Sequence, residues 1–329
     1  VYDLDDNRVD HVWARNNNGE LSFTDYYYDE LGKLIFTISG TSRSEVESVT
    51  AVTTENVSGL TAEQVEDLLT PDMSIAVYDT VESRIDHVWS VNNNEQASYT
   101  LYNYNDNGEL VYTLTGSDPA RVNNVTGIDN DNVFSLTSAD VETLLLDNMT
   151  LSVYDPATGQ VDHVWNRNEN GQVNFSKYFY NAEGDLTCTL SGDDRSAIEA
   201  ITGIDPNTVG TLSKTDIEAR LDAGMSLAVY DTEEKRVAHV WAVDESAEVS
   251  FTEYHYDELG RLVFTLSGSD REDVEIIDEI TVDTVHGLTV EQIEVFLTPG
   301  VNLAVYDTLE NRIDYIWSRS DTGDVSYIV

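Results

Sequence analysis

A strict internal period constrains this chain more than any other feature of its sequence. The tripeptide Val-Tyr-Asp returns every 76 residues, and the tryptophans keep the same spacing without insertion or deletion. The tripeptides begin at Val1, Val77, Val153, Val229 and Val305, and the tryptophans are Trp13, Trp89, Trp165, Trp241 and Trp317. Such a period predicts an array of structural repeats. The predicted boundaries are 1–76, with a truncated first strand, then 77–152, 153–228, 229–304 and a partial fifth repeat, 305–329.

The constant period carries its own prediction. Surface loops tolerate insertions at little energetic cost, so ordinary neighbouring domains drift in length. A period without drift predicts units held at fixed spacing, as in a stalk or fibre; recent duplication is the alternative explanation. The chain starts inside a first strand and stops inside a third, which predicts a window from a longer array.

Each repeat has the same predicted order of elements, which the fourth repeat shows best. Ser226–Asp231 and Arg236–Val243 are β-rich runs around a short polar turn, which predicts a hairpin. Glu248–Tyr256 and Arg261–Ser267 predict a second hairpin, with Gly260 at the turn because a tight reversal needs a positive φ.

The hydrophobic period then changes from two to about 3.6, which predicts helices. In the fourth repeat these are Ser269–Ile277 and Thr289–Leu297. The second helix starts with a capping-box pattern in all four repeats: Thr61 with Gln64, Thr137 with Asp140, Ser213 with Asp216, and Thr289 with Gln292. The predicted fold class is therefore α+β: a tandem array of 76-residue β-β-β-β-α-α units, each an antiparallel sheet with two short helices on one face, stacked into a stiff rod.

The third strand of each repeat predicts an aromatic second face. Phe23 and its equivalents point one way, whereas two tyrosine columns point the other way. The tyrosines are Tyr26, Tyr102, Tyr178 and Tyr254, and Tyr28, Tyr104, Tyr180 and Tyr256. A sheet face that lies away from the helices should read polar, so these columns predict a partner: the next repeat, another chain or a sugar.

One segment resembles a known family. Tyr254-His255-Tyr256-Asp257-Glu258-Leu259-Gly260-Arg261-Leu262 resembles the YD repeat of Rhs and teneurin-type proteins, and Tyr26 to Leu34 matches with Lys33 at the arginine position. The second and third copies carry Asn105 and Asn181 at the aspartate position. The resemblance implies β-hairpins and an extracellular, surface-associated setting, and it brings no catalytic residue. Gly59 to Val65 and Gly287 to Ile293 also look like linker helices of large bacterial repetitive surface proteins.

Charge excludes several partners. The chain holds 62 Asp and Glu against 17 Lys and Arg, a formal net charge of −45. A polyanion without a basic stripe repels nucleic acid and anionic membranes. No apolar stretch is long enough to predict a membrane span. Neighbouring repeats and further copies of the chain are the expected partners, and glycans are the alternative.

Candidate chemistry is sparse, and no catalytic residue, cofactor or enzymatic activity is predicted. His11, His87, His163 and His239 share a column in which the fifth copy has Tyr315, which predicts a packing role. Cys188 stands where other repeats have Phe36, Tyr112 and Phe264, which predicts a buried thiol.

Two weaker patterns complete the site predictions. Asp3, Asp5 and Asp6 are calcium candidates; the alternative is that the Asp of Val-Tyr-Asp closes its own turn through a bond to the backbone. Sequons at Asn56, Asn124, Asn148 and Asn174 are candidate glycosylation sites.

Two functions remain for this sequence. The first is a structural segment of an extracellular filament, fibre or adhesin stalk, located outside the cell or at its surface. The second is a multivalent array that binds glycans through its aromatic columns.

Overall fold

A computed structural model describes residues 1–3, 8–15, 21–92, 94–308 and 312–329. The chain forms two compact units, Val1–Val173 and Asn174–Val329. Both units consist mainly of antiparallel strands that follow one another in chain order. In each unit the short helices lie between the second hairpin of one repeat and the first strand of the next repeat.

The strands of the first unit are β1 (Tyr2–Asp3), β2 (Arg8–Val9), β3 (His11–Arg15), β4 (Leu21–Tyr28), β5 (Leu34–Gly40), β6 (Ser74–Asp79), β7 (Arg84–Val91), β8 (Ala97–Tyr104), β9 (Leu110–Gly116), β10 (Met149–Tyr154) and β11 (Val161–Arg167). Those of the second are β12 (Val173–Tyr180), β13 (Leu186–Gly192), β14 (Ser226–Asp231), β15 (Arg236–Val243), β16 (Val249–Tyr256), β17 (Leu262–Gly268), β18 (Asn302–Asp307), β19 (Arg312–Arg319) and β20 (Val325–Ile328).

The α-helices are α1 (Arg43–Ser48), α2 (Ala62–Leu68), α3 (Pro119–Asn123), α4 (Ser138–Leu144), α5 (Arg195–Ala200), α6 (Lys214–Glu218), α7 (Arg271–Glu275) and α8 (Val290–Phe296). Single 3₁₀ turns precede every second helix at Val57–Gly59, Val133–Ser135, Val209–Thr211 and Val285–Gly287.

The predicted fold class is wrong, because the repeats do not form separate α+β units stacked end to end. The last strand of one repeat pairs directly with the first strand of the next: in β5 and β6, Phe36 faces Val77 and Ser39 faces Ser74. The same antiparallel ladder joins β9 to β10, β13 to β14, and β17 to β18. The sheet therefore continues through these repeat junctions, and the fold is mainly β with short helical excursions.

The hairpins implied by the YD resemblance are present, and their turns explain why Asp and Asn alternate there. In the first repeat Asp29 Oδ1 accepts hydrogen bonds from the backbone amides of Leu31 and Lys33. In the second repeat Asn105 Oδ1 accepts the equivalent pair. Because either side chain offers the same acceptor oxygen, the turn closes with Asp or Asn.

The helices cover one face of the sheet and link consecutive repeats. Helix α1 packs on β4 and β5 of its own repeat, whereas α2 packs on β7 and β8 of the next. Val46 and Val65, from these two helices, are fully buried, as are Phe36 and Ile75 below them. The hydrophobic core therefore lies between the helices and this face, and it extends from one repeat into the next.

Capping boxes start the second helix of every repeat, as the sequence predicts. In α2 the Thr61 hydroxyl accepts a bond from the Gln64 amide, and the Gln64 side chain accepts one from the Thr61 amide. Helices α4, α6 and α8 begin in the same way. A box of this kind fixes where a helix of only five to seven residues begins.

Candidate functional site

The two tyrosine columns lie on the sheet face opposite the helices, where the sequence places them. All eight rings are half-buried, as are the first-strand tyrosines of the later repeats: Tyr78, Tyr154, Tyr230 and Tyr306. Burial raises the pKa of Tyr102 and of Tyr254, and the nearby Tyr154 and Tyr306 act in the same direction. In each pair the first tyrosine lies on the third strand of one repeat and the second lies on the first strand of the next repeat. The rings thus form a band across repeat junctions.

Arginines stack on one of the tyrosine columns. The Arg84 guanidinium lies 4.5 Å from the ring centroid of Tyr104, and Arg236 lies 4.6 Å from that of Tyr256. Cation–π contact of this kind holds a ring in one orientation. The sequence analysis did not identify these arginines, although they lie two 76-residue periods apart and therefore share a column.

A shallow groove opens beside the tyrosines in the second unit. Its volume is about 310 Å³. Its walls include the rings of Tyr180 and Tyr230, with Lys235, Asp185 and Thr232 at the polar side. Aromatic surface combined with a few polar groups is typical of small-molecule and sugar sites.

The tryptophan column lies on the opposite, helix-covered face. Trp89, Trp165 and Trp241 are at most 1% exposed, and Trp317 is 8% exposed. Trp13 differs, with 46% exposure. In the later repeats a first-strand residue pairs directly with the tryptophan, as Ile75 does with Trp89. Four of the five tryptophans are therefore core residues without a surface for a ligand.

The histidine column is also buried, next to the tryptophans. His87 and His163 are 4% and 0% exposed, and their Nδ1 atoms bond to the carboxylates of the preceding aspartates at 2.7 and 2.6 Å. In the fifth copy the Tyr315 hydroxyl donates to the carbonyl of Val285 instead. The histidine rings pack in the core, as the sequence predicts, whereas Tyr315 at the equivalent position is half-buried.

The turn-closing alternative for the Val-Tyr-Asp aspartate is confirmed in three repeats. Asp79 Oδ1 accepts hydrogen bonds from the amides of Val81 and Glu82, and this lowers its pKa. Asp231 accepts the equivalent pair of bonds, and Asp155 accepts one from the amide of Ala157 and one from the hydroxyl of Thr158.

The calcium prediction falls largely outside the described residues. Asp5 and Asp6 lie there, and of Asp3 only the backbone is described, in β1. Across the described ranges, no three His, Cys, Asp or Glu side chains lie close enough together to hold a metal ion.

Cys188 is buried, as the sequence predicts, at 0% exposure in β13. Burial raises the pKa of its thiol to about 11. A thiol in this environment remains protonated and is a poor nucleophile.

All four sequon asparagines are exposed. Asn56 uses its side chain locally: Nδ2 donates to the carbonyl of Ala51 and Oδ1 accepts from the amide of Thr53. Asn148 has a positive φ of 61° between α4 and β10. Their glycosylation stays a prediction.

Comparisons with known proteins identify no family. No family model matches the chain. No curated protein matches it. Among solved structures it is similar to a chain of the "Crystal Structure of TcdB2-TccC3-Cdc42", with 13% identity, 94% coverage of this chain and a TM-score of 0.27. The match spans 13% of that chain's length, and at this TM-score it defines neither fold nor function.

None of the helices in the described ranges has the length and apolar composition needed to cross a membrane.

Proposed function

We propose that this chain is a structural repeat segment of an extracellular filament, fibre or adhesin stalk, without catalytic activity. The observation that supports this most is the strand ladder at the repeat junctions. Four residue pairs join β5 to β6, and the register is identical at the equivalent junction of β17 and β18. Because each added repeat pairs through the same strands in the same register, equivalent surface residues recur at a constant spacing. A constant spacing suits a structural segment.

Side-chain bonds reinforce these junctions. The Lys33 ammonium in the turn of repeat 1 donates to the carbonyl of Thr80 in repeat 2, at 2.8 Å. On the helical side Glu66 Oε1 accepts from the amide of Ala97, at 3.0 Å. In the second unit Arg271 of α7 donates to the carbonyl of Gly210 in the preceding repeat. Adjacent repeats are thus connected on both sides of the sheet, without a flexible linker.

Support for an extracellular position comes from the surface and from the YD resemblance. A net charge of −45 repels neighbouring copies and keeps a crowded surface layer dispersed. The four exposed sequons are compatible with glycosylation in a host that performs it.

The test is to locate the full protein on the cells that produce it. We expect protease treatment of intact cells to release this segment, and immunogold electron microscopy to label material outside the cell. Protection from protease until the cells are lysed, with label confined to the interior, would contradict the proposal.

A second candidate function is multivalent glycan binding, which the half-buried tyrosine columns and the groove at Tyr180 and Tyr230 favour. Repetition raises the avidity of weak single sites by about 10²- to 10⁴-fold. Changing Tyr26, Tyr102, Tyr178 and Tyr254 to Ala should abolish signals on a glycan array, whereas the Phe variants, which keep the rings, should retain most of the signal. Equal loss in both sets would assign the effect to the hydroxyl groups instead.

A further inference from the structure

The third strand of every full repeat carries two tyrosines that are two residues apart. Side chains at this spacing in a strand point to the same side, and their positions lie about 6.6 Å apart along the strand. The two rings are therefore direct neighbours on the sheet face opposite the helices. These tyrosine pairs are Tyr26 and Tyr28, Tyr102 and Tyr104, Tyr178 and Tyr180, and Tyr254 and Tyr256.

The β-bulge beside each pair does not turn the two rings apart. In repeat 2 the extra residue of the bulge, Val111, belongs to the fourth strand, so the third strand keeps its regular alternation. Burial raises the pKa of Tyr104, and the neighbouring Tyr102 phenol acts in the same direction. Tyr256 and Tyr254 show the same relation. The two phenols of a pair are thus close enough to influence each other.

The tyrosine pairs are accessible, whereas most other side chains that oxidise readily are buried. All three methionines are at most 5% exposed, and Cys188 is 0% exposed. Four of the five tryptophans are at most 8% exposed, and Trp13 is the exception. All eight rings of the pairs are half-buried, so part of each ring reaches solvent. Because oxidation selects susceptible groups that are accessible, an oxidant in the solvent reaches the pairs and not the buried sulfur atoms.

The arginines on the tyrosine face leave the reactive part of the rings open. Arg84 and Arg236 lie over the faces of the Tyr104 and Tyr256 rings. Tyrosyl radicals couple at the ring carbon next to the hydroxyl-bearing carbon, which lies on the ring edge. A cation over the face of a ring does not cover this edge.

We propose that the tyrosine pairs are sites of oxidative coupling, at which a one-electron oxidant, a haem peroxidase with hydrogen peroxide, joins the two rings of a pair as dityrosine. Each phenol loses one electron and one proton. The two radicals form a carbon–carbon bond between their edge carbons, and the hydrogen on each of these carbons moves to the oxygen. The two electrons and two protons reduce one hydrogen peroxide to two waters.

The test treats the full chain, at micromolar concentration, with a haem peroxidase and hydrogen peroxide. The pair variant combines Tyr28→Phe, Tyr104→Phe, Tyr180→Phe and Tyr256→Phe, which keeps every ring and leaves one phenol in each pair. The matched control combines Tyr2→Phe, Tyr78→Phe, Tyr306→Phe and Tyr327→Phe, which removes as many phenols outside the pairs. Dityrosine fluorescence and peptide mass spectrometry locate the links, and far-ultraviolet circular dichroism establishes that both variants fold.

We expect dityrosine within single chains of the unchanged protein and of the control, in peptides that have lost two hydrogen atoms and contain both tyrosines of a pair. Two rings in one strand meet at an effective concentration of millimolar order, about a thousandfold above that of separate chains in this experiment. The pair variant should therefore form at least about tenfold less dityrosine.

Three results would overturn the proposal. The first is a dityrosine yield that persists in the pair variant and is lost in the control, which would assign coupling to tyrosines of different strands. The second is oxidation of methionine or tryptophan without tyrosine coupling. The third is coupling only between chains, which disappears on dilution and maps to the solitary exposed rings of Tyr2 and Tyr327.

Discussion

His239 offers a sharp test of the packing in this fold, because it lacks the partner that the other core histidines have. The preceding residue is Ala238, whereas Asp86 occupies the equivalent position beside His87. Burial lowers the pKa of His239 to about 4, and the nearby Arg271 acts in the same direction. Changing Ala238 to Asp supplies the missing carboxylate and should raise the pKa of His239.

The magnitude follows from proton linkage. In the unfolded chain the His239 imidazole becomes protonated below its ordinary pKa of 6.5. In the folded chain it stays neutral until the pH falls to about 4. The unfolded state therefore binds more protons between these values, so stability is complete above pH 6.5 and falls as the pH drops towards 4. For pKa values of 6.5 and 4, this group alone removes about 2 kcal/mol of unfolding free energy between pH 8 and pH 5. Ala238→Asp should recover most of that amount.

The assay is a ¹³C-histidine NMR titration combined with urea unfolding at pH 8 and pH 5. Asp86→Ala, which creates the repeat-4 arrangement in repeat 2, is the reciprocal variant and should make stability fall more steeply with acid. The reasoning is refuted if Ala238→Asp leaves both the His239 titration and the pH dependence of unfolding unchanged.

Other variants test packing, reactivity and capping. Gly40→Ala places a Cβ 3.1 Å from buried side chains and should lower the free energy of unfolding in urea by about 1–3 kcal/mol. In the control Gly59→Ala the Cβ meets no atom within 4 Å, so the loss should be less than about 1 kcal/mol. The Cys188 thiol should be unreactive towards Ellman's reagent in the folded chain and react fully in urea; rapid reaction without urea would mean that the site opens readily. Thr289→Ala should lower the thermal midpoint by removing about 1 kcal/mol of capping, and Thr289→Ser, which keeps the hydroxyl, should restore it.

Much of the local structure could be predicted from the sequence, because its determinants lie within a few residues of each other. The runs Ser226–Asp231 and Arg236–Val243 match the bounds of β14 and β15, since alternation and a polar turn define a hairpin locally. The capping boxes and the turn-closing aspartates are equally local. Column comparison between repeats identified Cys188 as a buried substitute for larger side chains.

The arrangement of the repeats was decided only by the tertiary structure. Phe36 pairs with Val77 although a helical segment separates the two strands along the chain. A strand edge presents the same backbone donors and acceptors to any partner strand. The sequence therefore did not reveal that the sheet continues from one repeat to the next. The Arg84–Tyr104 contact also depends on register between separate strands. The sequence alone determined the period, the hairpins and the caps. Non-local pairing determined that the repeats share a sheet, that the tryptophans lie beneath the helices, and that the tyrosines lie on the opposite face.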